Sequence, residues 1–320
     1  MTTQFRPVRG DEIAHAFEYE VGEPISRVTA EQYAREAADR RYRPEWTWIA
    51  ERDGRVLARA LWWGFPDGGS PLALNCLSTA PGADDPVGLA AGLLAAGHRA
   101  ITGAGAEELP GYHLKLPVGW RERPEVVRAL DWRREAAARA GLEEENERLR
   151  FEWTPDTPLP APEGRLVYTP EPDDDAFAEV FRRVAVGSLD FATRQELRVM
   201  TPERQAREDL ELYRGFPGDR GWWRLARTPE GELVGLIVPT RNPYGPTVGY
   251  IGVVPEWRGH GHVRDMLAET TRILVAEDGA EHVTAVTDTA NAPMAAAIEA
   301  TGYRLTEIRV VRSAAPQGSR

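Results

Sequence analysis

The stretch that indicates the fold is residues 250–263, which read Tyr-Ile-Gly-Val-Val-Pro-Glu-Trp-Arg-Gly-His-Gly-His-Val. An apolar strand ends at Pro255, a short loop with two glycines follows, and an amphipathic helix begins directly after the loop. The first amide groups of a helix have no partner within it, and the helix macrodipole is positive at that end. Gly259 and Gly261 let the main chain approach a ligand closely. The stretch therefore predicts an anion site, to which Arg258 adds a positive charge.

Two common phosphate-binding motifs do not fit this loop. No Gly-Lys-Ser/Thr follows it, and the third glycine of a dinucleotide fingerprint is missing.

A second motif lies at residues 291–303, which read Asn-Ala-Pro-Met-Ala-Ala-Ala-Ile-Glu-Ala-Thr-Gly-Tyr. The Arg-x-x-Gly loop at 258–261, together with the later Asn-x-x-Met spacing and closing Gly-Tyr pair, resembles the signature of the GNAT superfamily of acyl-CoA-dependent N-acyltransferases. The resemblance covers residues 165–312.

The resemblance implies an α/β fold of the α+β mixed-sheet type, in which the fourth and fifth strands of this half splay apart around the pantetheine arm of acyl-CoA. The backbone of Ile251 and Val253 would pair with that arm, and Asn291 would contact it near the sulfur. The pyrophosphate would lie on the loop amides, contributed by Arg258, Gly259, His260, Gly261, His262 and Val263. The implied activity is N-acetyltransfer from acetyl-CoA, or another acyl-CoA, to a primary amine by direct attack in a ternary complex.

Two positions depart from the family pattern. Val263 stands where the loop ends in Gly or Ala, and Ile298 stands where many members carry a tyrosine that protonates the leaving thiolate. The proton must then come from another group or from water. Tyr250 could act as the acid or orient the amine, or it could simply be a buried strand tyrosine. Asp288 could take a proton from the incoming ammonium, or it could be a solvated strand end.

Three further alternatives stay open. Asn291 precedes a proline at a helix start, so helix capping explains it as well as a cofactor contact does. His260 and His262 could form a metal pair, but no other His or Cys lies near them in sequence, and we expect no metal. The acids from Asp190 onward, including Glu196 and those within 203–211, could attract a cationic amine or form a solvated helix face.

The length of 320 residues and a proline-rich break indicate two domains of similar size. Hairpin patterns at 48–60 and 224–237, and helix stops at Gly141 and Gly302, repeat between the halves. We expect two GNAT-like acyl-CoA N-acyltransferase domains in tandem. The expected boundaries are a degenerate domain at 1–154, a Pro-rich linker at 155–164 and a catalytic domain at 165–320.

The second half is predicted to contain strands at 165–169, 222–228, 232–239, 247–254, 282–287 and 303–312, and helices at 174–185, 194–213, 260–276 and 292–301.

The first half lacks the residues that hold a phosphate. Its strand 72–77 leads to a loop with no arginine, where Asp84 and Asp85 place negative charge at the position of a pyrophosphate. We expect this half not to bind CoA and to serve as a packing partner or a wall of the acceptor site. The acidic run 143–147 is predicted to be a solvated turn.

Composition limits the remaining function classes. The formal net charge is −11, which argues against nucleic-acid partners and favours a cationic acceptor, either a small molecule or a peptide. One cysteine and the lack of a signal-type or membrane-spanning run predict a cytoplasmic protein without membrane contact, while the oligomeric state stays open. The competing hypothesis is a CoA- or acyl-CoA-binding sensor without turnover, which the missing tyrosine at Ile298 favours.

Overall fold

A computed structural model describes residues 2–25, 27–106 and 108–315. The chain divides into two compact units. The first comprises Met1–Asn146 together with Ile308–Ala315, and the second comprises Glu147–Glu307.

The strands and helices alternate throughout, as expected for a mixed α/β fold. In the first half they are β1 (Gln4–Pro7), α1 (Ile13–Ala16), α2 (Ala30–Ala38), β2 (Thr47–Arg52), β3 (Arg55–Trp63), β4 (Ala73–Thr79), α3 (Pro86–Gly103), β5 (Gly111–Leu116), α4 (Pro124–Arg139) and β6 (Glu144–Trp153). In the second half they are β7 (Val167–Pro170), α5 (Asp174–Ala185), α6 (Phe191–Glu196), α7 (Pro202–Arg214), β8 (Arg224–Arg227), β9 (Leu233–Asn242), β10 (Gly245–Val253), α8 (His262–Asp278), β11 (Val283–Asp288), α9 (Ala292–Ala300) and β12 (Arg304–Ser313).

Both units have the same strand order. The first unit runs β1-β2-β3-β4-β5, and the second runs β7-β8-β9-β10-β11. In each, the first four strands pair antiparallel and the fourth pairs parallel with the fifth. The hairpins expected from sequence are β2-β3 and β8-β9, so the predicted internal repeat is confirmed at the level of topology.

The boundary between the units differs from the sequence-based one at residue 154. Strand β6 pairs antiparallel with β11 of the second unit, from Arg148 to Trp153. Strand β12 pairs antiparallel with β5 of the first unit, from Ile308 to Arg312. Each unit therefore takes its last strand from the other half of the sequence. The proline-rich segment follows β6, so it marks a turn in the chain after residue 153 and not the edge of a unit.

The sheet of the second unit separates two apolar clusters. One cluster lies with α8 and α9 and contains Met266, Leu274 and Ile298, and the other lies with α5 and α7 and contains Phe181 and Leu210. Each buries the apolar side of amphipathic helices, which stabilises the fold by about 25 cal/mol per Å² of apolar surface. The adjacent Trp222 and Trp223 belong to different clusters.

Two local predictions were wrong. The single helix expected at 194–213 is two helices, because Thr201 accepts a hydrogen bond from the Arg204 amide and Pro202 begins a new helix there. The acidic run 143–147 is not a solvated turn, since β6 begins at Glu144 and the Glu145 carboxylate pairs with Arg134. No helix in the described ranges combines the length and apolar character needed to cross a bilayer.

Candidate functional site

The loop before α8 exposes a set of unpartnered amides. Gly259 and Gly261 have φ of 81° and 78°, in the left-handed region that glycine adopts without strain. In this conformation the chain turns sharply into α8, which begins at His262. Within the described part of the chain, the backbone N–H groups of residues 259–263 donate to no protein acceptor. A run of such groups at the positive end of a helix of this length fits the pyrophosphate of CoA.

Next to the loop, the sheet of the second unit opens. In the described strands, β10 and β11 pair at Thr247 and Thr284 and diverge beyond that point. A bulge at Gly249 shifts the register of β10 against β9, and a side chain there would collide with the Val238 carbonyl. The gap between β10 and β11 is wide enough to end their pairing, as predicted for strands that splay around a cofactor arm.

The backbone of β10 faces this gap at the two predicted positions. The Val254 N–H donates to the Val234 carbonyl at 2.9 Å, so Val254 faces β9. Backbone groups alternate in direction along an antiparallel strand. Ile251 and Val253 therefore direct their N–H and C=O groups away from β9, toward β11. This orientation suits the expected pairing with pantetheine amides for both backbone groups of Ile251 and for the Val253 N–H, whereas the Val253 carbonyl accepts from Arg258.

Arg258 makes different contacts from those expected. Its guanidinium donates to the carbonyls of Val253 at 3.1 Å, Val184 at 2.7 Å, Val186 at 2.8 Å and Gly187 at 3.2 Å. These contacts tie the loop to the C-terminal end of α5, where helix carbonyls lack intrahelical partners. The side chain of Arg258 thus holds the loop in place, and its charge is already engaged by carbonyl groups.

Arg165 is a cation beside the free amides that sequence reasoning missed. Its Nη1 donates to the His260 carbonyl at 3.3 Å, and its Nη2 lies 2.8 Å from a carboxylate oxygen of Asp265. A Cβ placed on Gly261 would have Arg165 Nη1 as its nearest neighbour, at 4.0 Å. Arg165 is distant from the loop in sequence, so no local pattern could have assigned it.

The two loop histidines have different surroundings. His260 is exposed, whereas His262 is buried, and neither ring nitrogen of His262 has a hydrogen-bond partner in the described residues. Burial, and then the charge of Arg165, lower the pKa of His262, so its ring is neutral at neutral pH. In the described ranges no three His, Cys, Asp or Glu side chains converge as metal ligands.

Asn291 and Ile298 lie on α9 and just before it. Asn291 occupies the N-cap position, yet its side chain makes no capping hydrogen bond. The amide of Asn291 is therefore available to a ligand, which favours the cofactor alternative over the capping one. Ile298 is buried in the apolar cluster beneath α8, so its position supplies no proton donor.

Asp288 is deeply buried at the end of β11. Its Oδ2 accepts from the Phe191 N–H at 2.6 Å, and its Oδ1 lies 3.4 Å from Arg148 Nε. Both oxygens are engaged, and only 1% of the side chain is exposed. The carboxylate fixes the start of α6 to the end of β11, so the proposed proton acceptor is not free to meet an ammonium group. It is not a solvated strand end either.

Tyr250 faces the α5 and α7 side of the sheet. Its ring centroid lies 4.9 Å from that of Phe181 and 5.8 Å from that of Tyr213. Burial, followed by the negative charge of Asp209, raises the pKa of Tyr250 well above its usual value. Its phenol therefore keeps its proton throughout the neutral range and can donate it, whereas it cannot act as a base.

The acids near α6 and α7 fall into two groups. Glu203, Glu208 and Glu211 are exposed on α7, as a solvated helix face predicts. Asp190, Glu196 and Asp209 are only partly exposed. The second group lies on the side of the sheet that carries Tyr250.

The corresponding places of the first unit are filled by the protein itself. The Asp85 carboxylate accepts from the Gly88 N–H at 2.8 Å, so a side-chain anion occupies the N-terminus of α3. Arg133, fully buried on α4, donates from Nε to the Leu77 carbonyl at 3.0 Å and from Nη2 to Glu23 at 2.5 Å. The Arg133 side chain thus engages a backbone acceptor of β4.

A family model described as an acetyltransferase (GNAT) domain matches residues 165–304. The chain has no match among curated proteins. A GCN5-related N-acetyltransferase from Sphaerobacter thermophilus is 17% identical with a TM-score of 0.57, over 99% of this chain and 97% of that one. A glucosamine N-acetyltransferase region of a fungal multi-domain GH3 beta-N-acetylglucosaminidase is 12% identical with a TM-score of 0.53, over 97% of this chain and 38% of that one.

A tandem GNAT protein from the clavulanic acid biosynthesis pathway is 19% identical with a TM-score of 0.47, over 99% of this chain and 100% of that one. At 17% identity, the Sphaerobacter structure shows a shared fold, and it does so across both halves of the chain. Residues 165–304 are thus a GNAT acetyltransferase domain, in a chain whose fold is two GNAT-like domains in tandem.

Proposed function

We propose that this chain is an N-acetyltransferase whose second unit binds acetyl-CoA, or another acyl-CoA, and transfers the acyl group directly to a primary amine. The observation that carries the proposal is the free amide run at 259–263 beside the gap between β10 and β11. The single cysteine, Cys76, is buried in the first unit and so cannot serve as an acyl carrier for this site.

The chain's own residues would hold and orient the reactants. Acyl-CoA, when bound, supplies the thioester that is attacked. The amides of 259–263 and the guanidinium of Arg165 would bind phosphate, the outward backbone groups of Ile251 and the N–H of Val253 would orient the arm, and the Asn291 amide would contact it near the sulfur. A β10 N–H directed into the gap stabilises the oxyanion of the transition state.

Tyr250 is the proton donor that we propose in place of the tyrosine missing at Ile298. Tyr250→Phe should lower kcat about tenfold and leave the KM for acetyl-CoA unchanged, because a thiolate leaves with modest help from an acid. Since its pKa is raised, the wild type should lose no activity to Tyr250 ionisation between pH 6 and about 10. Steady-state rates of thiol release would measure both effects. Tyr244→Phe, at an exposed position, is the matched control, and equal rates for the two variants would remove Tyr250 from the mechanism.

The second candidate function is a CoA-binding sensor, which the buried Ile298 favours. We expect thiol release from acetyl-CoA with at least one member of a panel of alkylamines, polyamines, aminoglycosides and peptide N-termini, at a rate at least about tenfold above acceptor-free hydrolysis. Calorimetry with CoA on the same preparation gives the binding constant independently. Tight CoA binding without release across the whole panel would replace the enzyme with the sensor.

We also propose that the first unit binds no CoA, since Asp85 occupies its phosphate position and Arg133 engages a backbone acceptor of β4. The whole chain should bind CoA with a stoichiometry near one. A fragment ending near residue 155 is unsuited to this test, because it lacks β12 residues 308–313 that complete the sheet of the first unit.

A further inference from the structure

A cavity of about 250 Å³ lies in the second unit, on the side of the sheet that carries α7. Its walls include three aromatic side chains, those of Tyr213, Phe216 and Trp223. Ligand sites of this kind combine an apolar wall with a few polar groups, and drug-sized ligands occupy about 300–1,000 Å³. The cavity is smaller than that, so it suits a small molecule with an apolar or aromatic part.

The cavity lies against the bulge of β10. Tyr213 and Thr240 both line it, and both approach Gly249 closely. A Cβ placed on Gly249 would lie 3.4 Å from Tyr213 Cδ1 and 2.6 Å from Thr240 Cγ2. The Tyr213 ring also contacts the ring of Tyr250, with centroids 5.8 Å apart. The cavity is therefore adjacent to the stretch of β10 that contains the proposed proton donor.

The acyl end of the proposed cofactor would reach the same stretch. The arm would leave the phosphate loop at 259–263 and run along β10, first past Val253 and then past Ile251. Continued in that direction, at about 3.3 Å per residue, the strand leads to Tyr250 and Gly249. An amine held in the cavity would then lie beside the thioester.

Two arginines line the cavity, and they share one carboxylate. Arg214 Nη1 lies 2.6 Å from one oxygen of Asp174, and Arg220 Nη2 lies 3.0 Å from the other. Two positive charges and one negative charge leave one positive charge without a partner. Among the described residues that line the cavity there is no carboxylate, since Asp174 is not one of them. The cavity therefore presents positive charge.

Both guanidinium groups keep N–H groups for a further acceptor. Among the described residues, nothing accepts from Arg214 Nε and Nη2 or from Arg220 Nη1. The Arg220 guanidinium lies over the ring of Trp223, 4.4 Å from its centroid, and over that of Phe177 at 4.7 Å. These stacks fix its orientation. The side chains of Arg214 and Arg220 are 57% and 30% exposed, so an incoming carboxylate can reach them.

We propose that this cavity binds the amine acceptor and that the acceptor is an amino acid with an apolar or aromatic side chain. The proposal rests on the acyl-transfer function argued above. The carboxylate of the amino acid would accept hydrogen bonds from Arg214 and Arg220, and its side chain would lie against the aromatic walls. Its amine would face the thioester beside Tyr250. The net charge of −11 belongs to the whole chain, whereas the charge at this cavity is positive.

The transfer balances in atoms and electrons. The ammonium group first releases one proton to water, and the lone pair of the neutral nitrogen then forms the C–N bond to the acyl carbon. The C–S bond breaks, and the sulfur leaves with the bonding electrons. The sulfur receives a proton from Tyr250, and the phenol regains one from the new amide nitrogen. The products are an N-acyl amino acid and the free thiol.

The binding test uses L-phenylalanine as the probe and 2-phenylethylamine, which lacks only the carboxylate, as its control. Each compound is added to the full chain, and ligand-observed NMR spectroscopy measures the affinity without any turnover. The wild type should bind L-phenylalanine at least about tenfold more tightly than 2-phenylethylamine, because hydrogen bonds between charged groups are the stronger ones. Equal affinities, or no binding of L-phenylalanine, would overturn the proposal.

Substitution of the arginines tests which groups bind the carboxylate. Arg214→Gln and Arg220→Gln should each weaken L-phenylalanine binding about tenfold and leave the affinity for 2-phenylethylamine unchanged. Arg207→Gln is the matched control, because Arg207 is exposed on α7 and does not line the cavity. An equal loss in Arg207→Gln would show that the general charge of the helix, and not the arginine pair, attracts the ligand.

Asp174→Asn should have the opposite effect. It removes the carboxylate that competes for both arginines, so L-phenylalanine should bind at least about threefold more tightly, with 2-phenylethylamine unchanged. A gain in affinity does not arise from misfolding, so this variant decides the question even if the arginine variants do not fold. Unchanged or weaker binding of L-phenylalanine to folded Asp174→Asn would contradict the proposed role of the arginine pair.

The amino-acid site and the acetyltransferase can fail separately. Thiol release from acetyl-CoA is measured with L-phenylalanine beside the other amines. If other amines are acetylated but L-phenylalanine neither binds nor reacts, the amino-acid site is wrong and the acetyltransferase stands. If L-phenylalanine binding depends on the arginines but CoA does not bind, the amino-acid site stands and the acetyltransferase does not.

Discussion

Replacing Gly261 with Asp should weaken CoA binding about 100-fold, which corresponds to about 2.8 kcal/mol. The position has a φ of 78° and stands directly before α8, where the free amides point into the loop. An aspartate tolerates the left-handed conformation better than most residues do. Its carboxylate would lie near Arg165 and the helix start, and would repel a pyrophosphate there. The substitution reproduces in the second unit what Asp85 does in the first.

Gly261→Asn is the matched control, because it has nearly the same shape and the same backbone preference but no charge. A Cβ at Gly261 has space, with its nearest neighbour at 4.0 Å. We expect the asparagine variant to bind CoA within about fivefold of the wild type, and both variants to unfold at similar denaturant concentrations. Calorimetric titration with CoA measures the difference. Affinities of the two variants within threefold of each other would show that the loop does not bind the pyrophosphate.

Replacing Arg133 with Ala should lower the free energy of unfolding of the first unit by about 3–5 kcal/mol. The guanidinium is 0% exposed, and it donates to the Leu77 and Ala129 carbonyls as well as to Glu23. Its loss leaves buried acceptors unpaired and removes the cation opposite the Glu23 carboxylate. Glu23 keeps the hydrogen bond from the indole N–H of Trp132, at 2.7 Å.

Arg128→Ala is the control for this prediction, because Arg128 lies on the same helix but is exposed. It should change the free energy of unfolding by less than about 0.5 kcal/mol. Urea unfolding followed by circular dichroism would measure both variants. A chain of two units can show two unfolding transitions, and in Arg133→Ala the transition of the first unit should move to lower urea concentration. The two variants are compared by how much each lowers the free energy of unfolding. A difference of less than about 1 kcal/mol between Arg133→Ala and Arg128→Ala would mean that water replaces the guanidinium.

Much of the fold could be predicted because its signals are local. The stop at Pro255, the glycines at 259 and 261, and the apolar spacing of α8 all lie in one stretch, and each acts through its own backbone. The hairpins were equally readable, since a turn glycine and flanking apolar residues are neighbours in the chain. The break at Thr201 and Pro202 was also local, but the helical periodicity on either side of it concealed the cap.

The unit boundary could not be read in the same way. Strands β6 and β12 each look like the last strand of their own half, and nothing in their composition states which fifth strand they join. The pairing of Arg148 through Trp153 with β11 is a long-range choice, made by burial and register. Proline content locates a turn, but it does not show which sheet the preceding strand belongs to.

The candidate site divides along the same line. The sequence by itself determined the glycine loop before α8 and the positions of Ile251, Val253 and Asn291 along β10 and before α9, because main-chain geometry at a strand end and a helix start follows from neighbouring residues. Only the tertiary structure decided that Arg258 donates to the carbonyls at the end of α5 and that Arg165 lies beside the loop. It also decided that Asp288 is buried, with both carboxylate oxygens in contact with protein donors. The tertiary structure also shows that Asp209 is half-buried, whereas Glu203, Glu208 and Glu211 on the same helix are exposed. Side-chain charge and proton affinity depend on desolvation and on neighbours distant in sequence, and these exist only once the chain has folded.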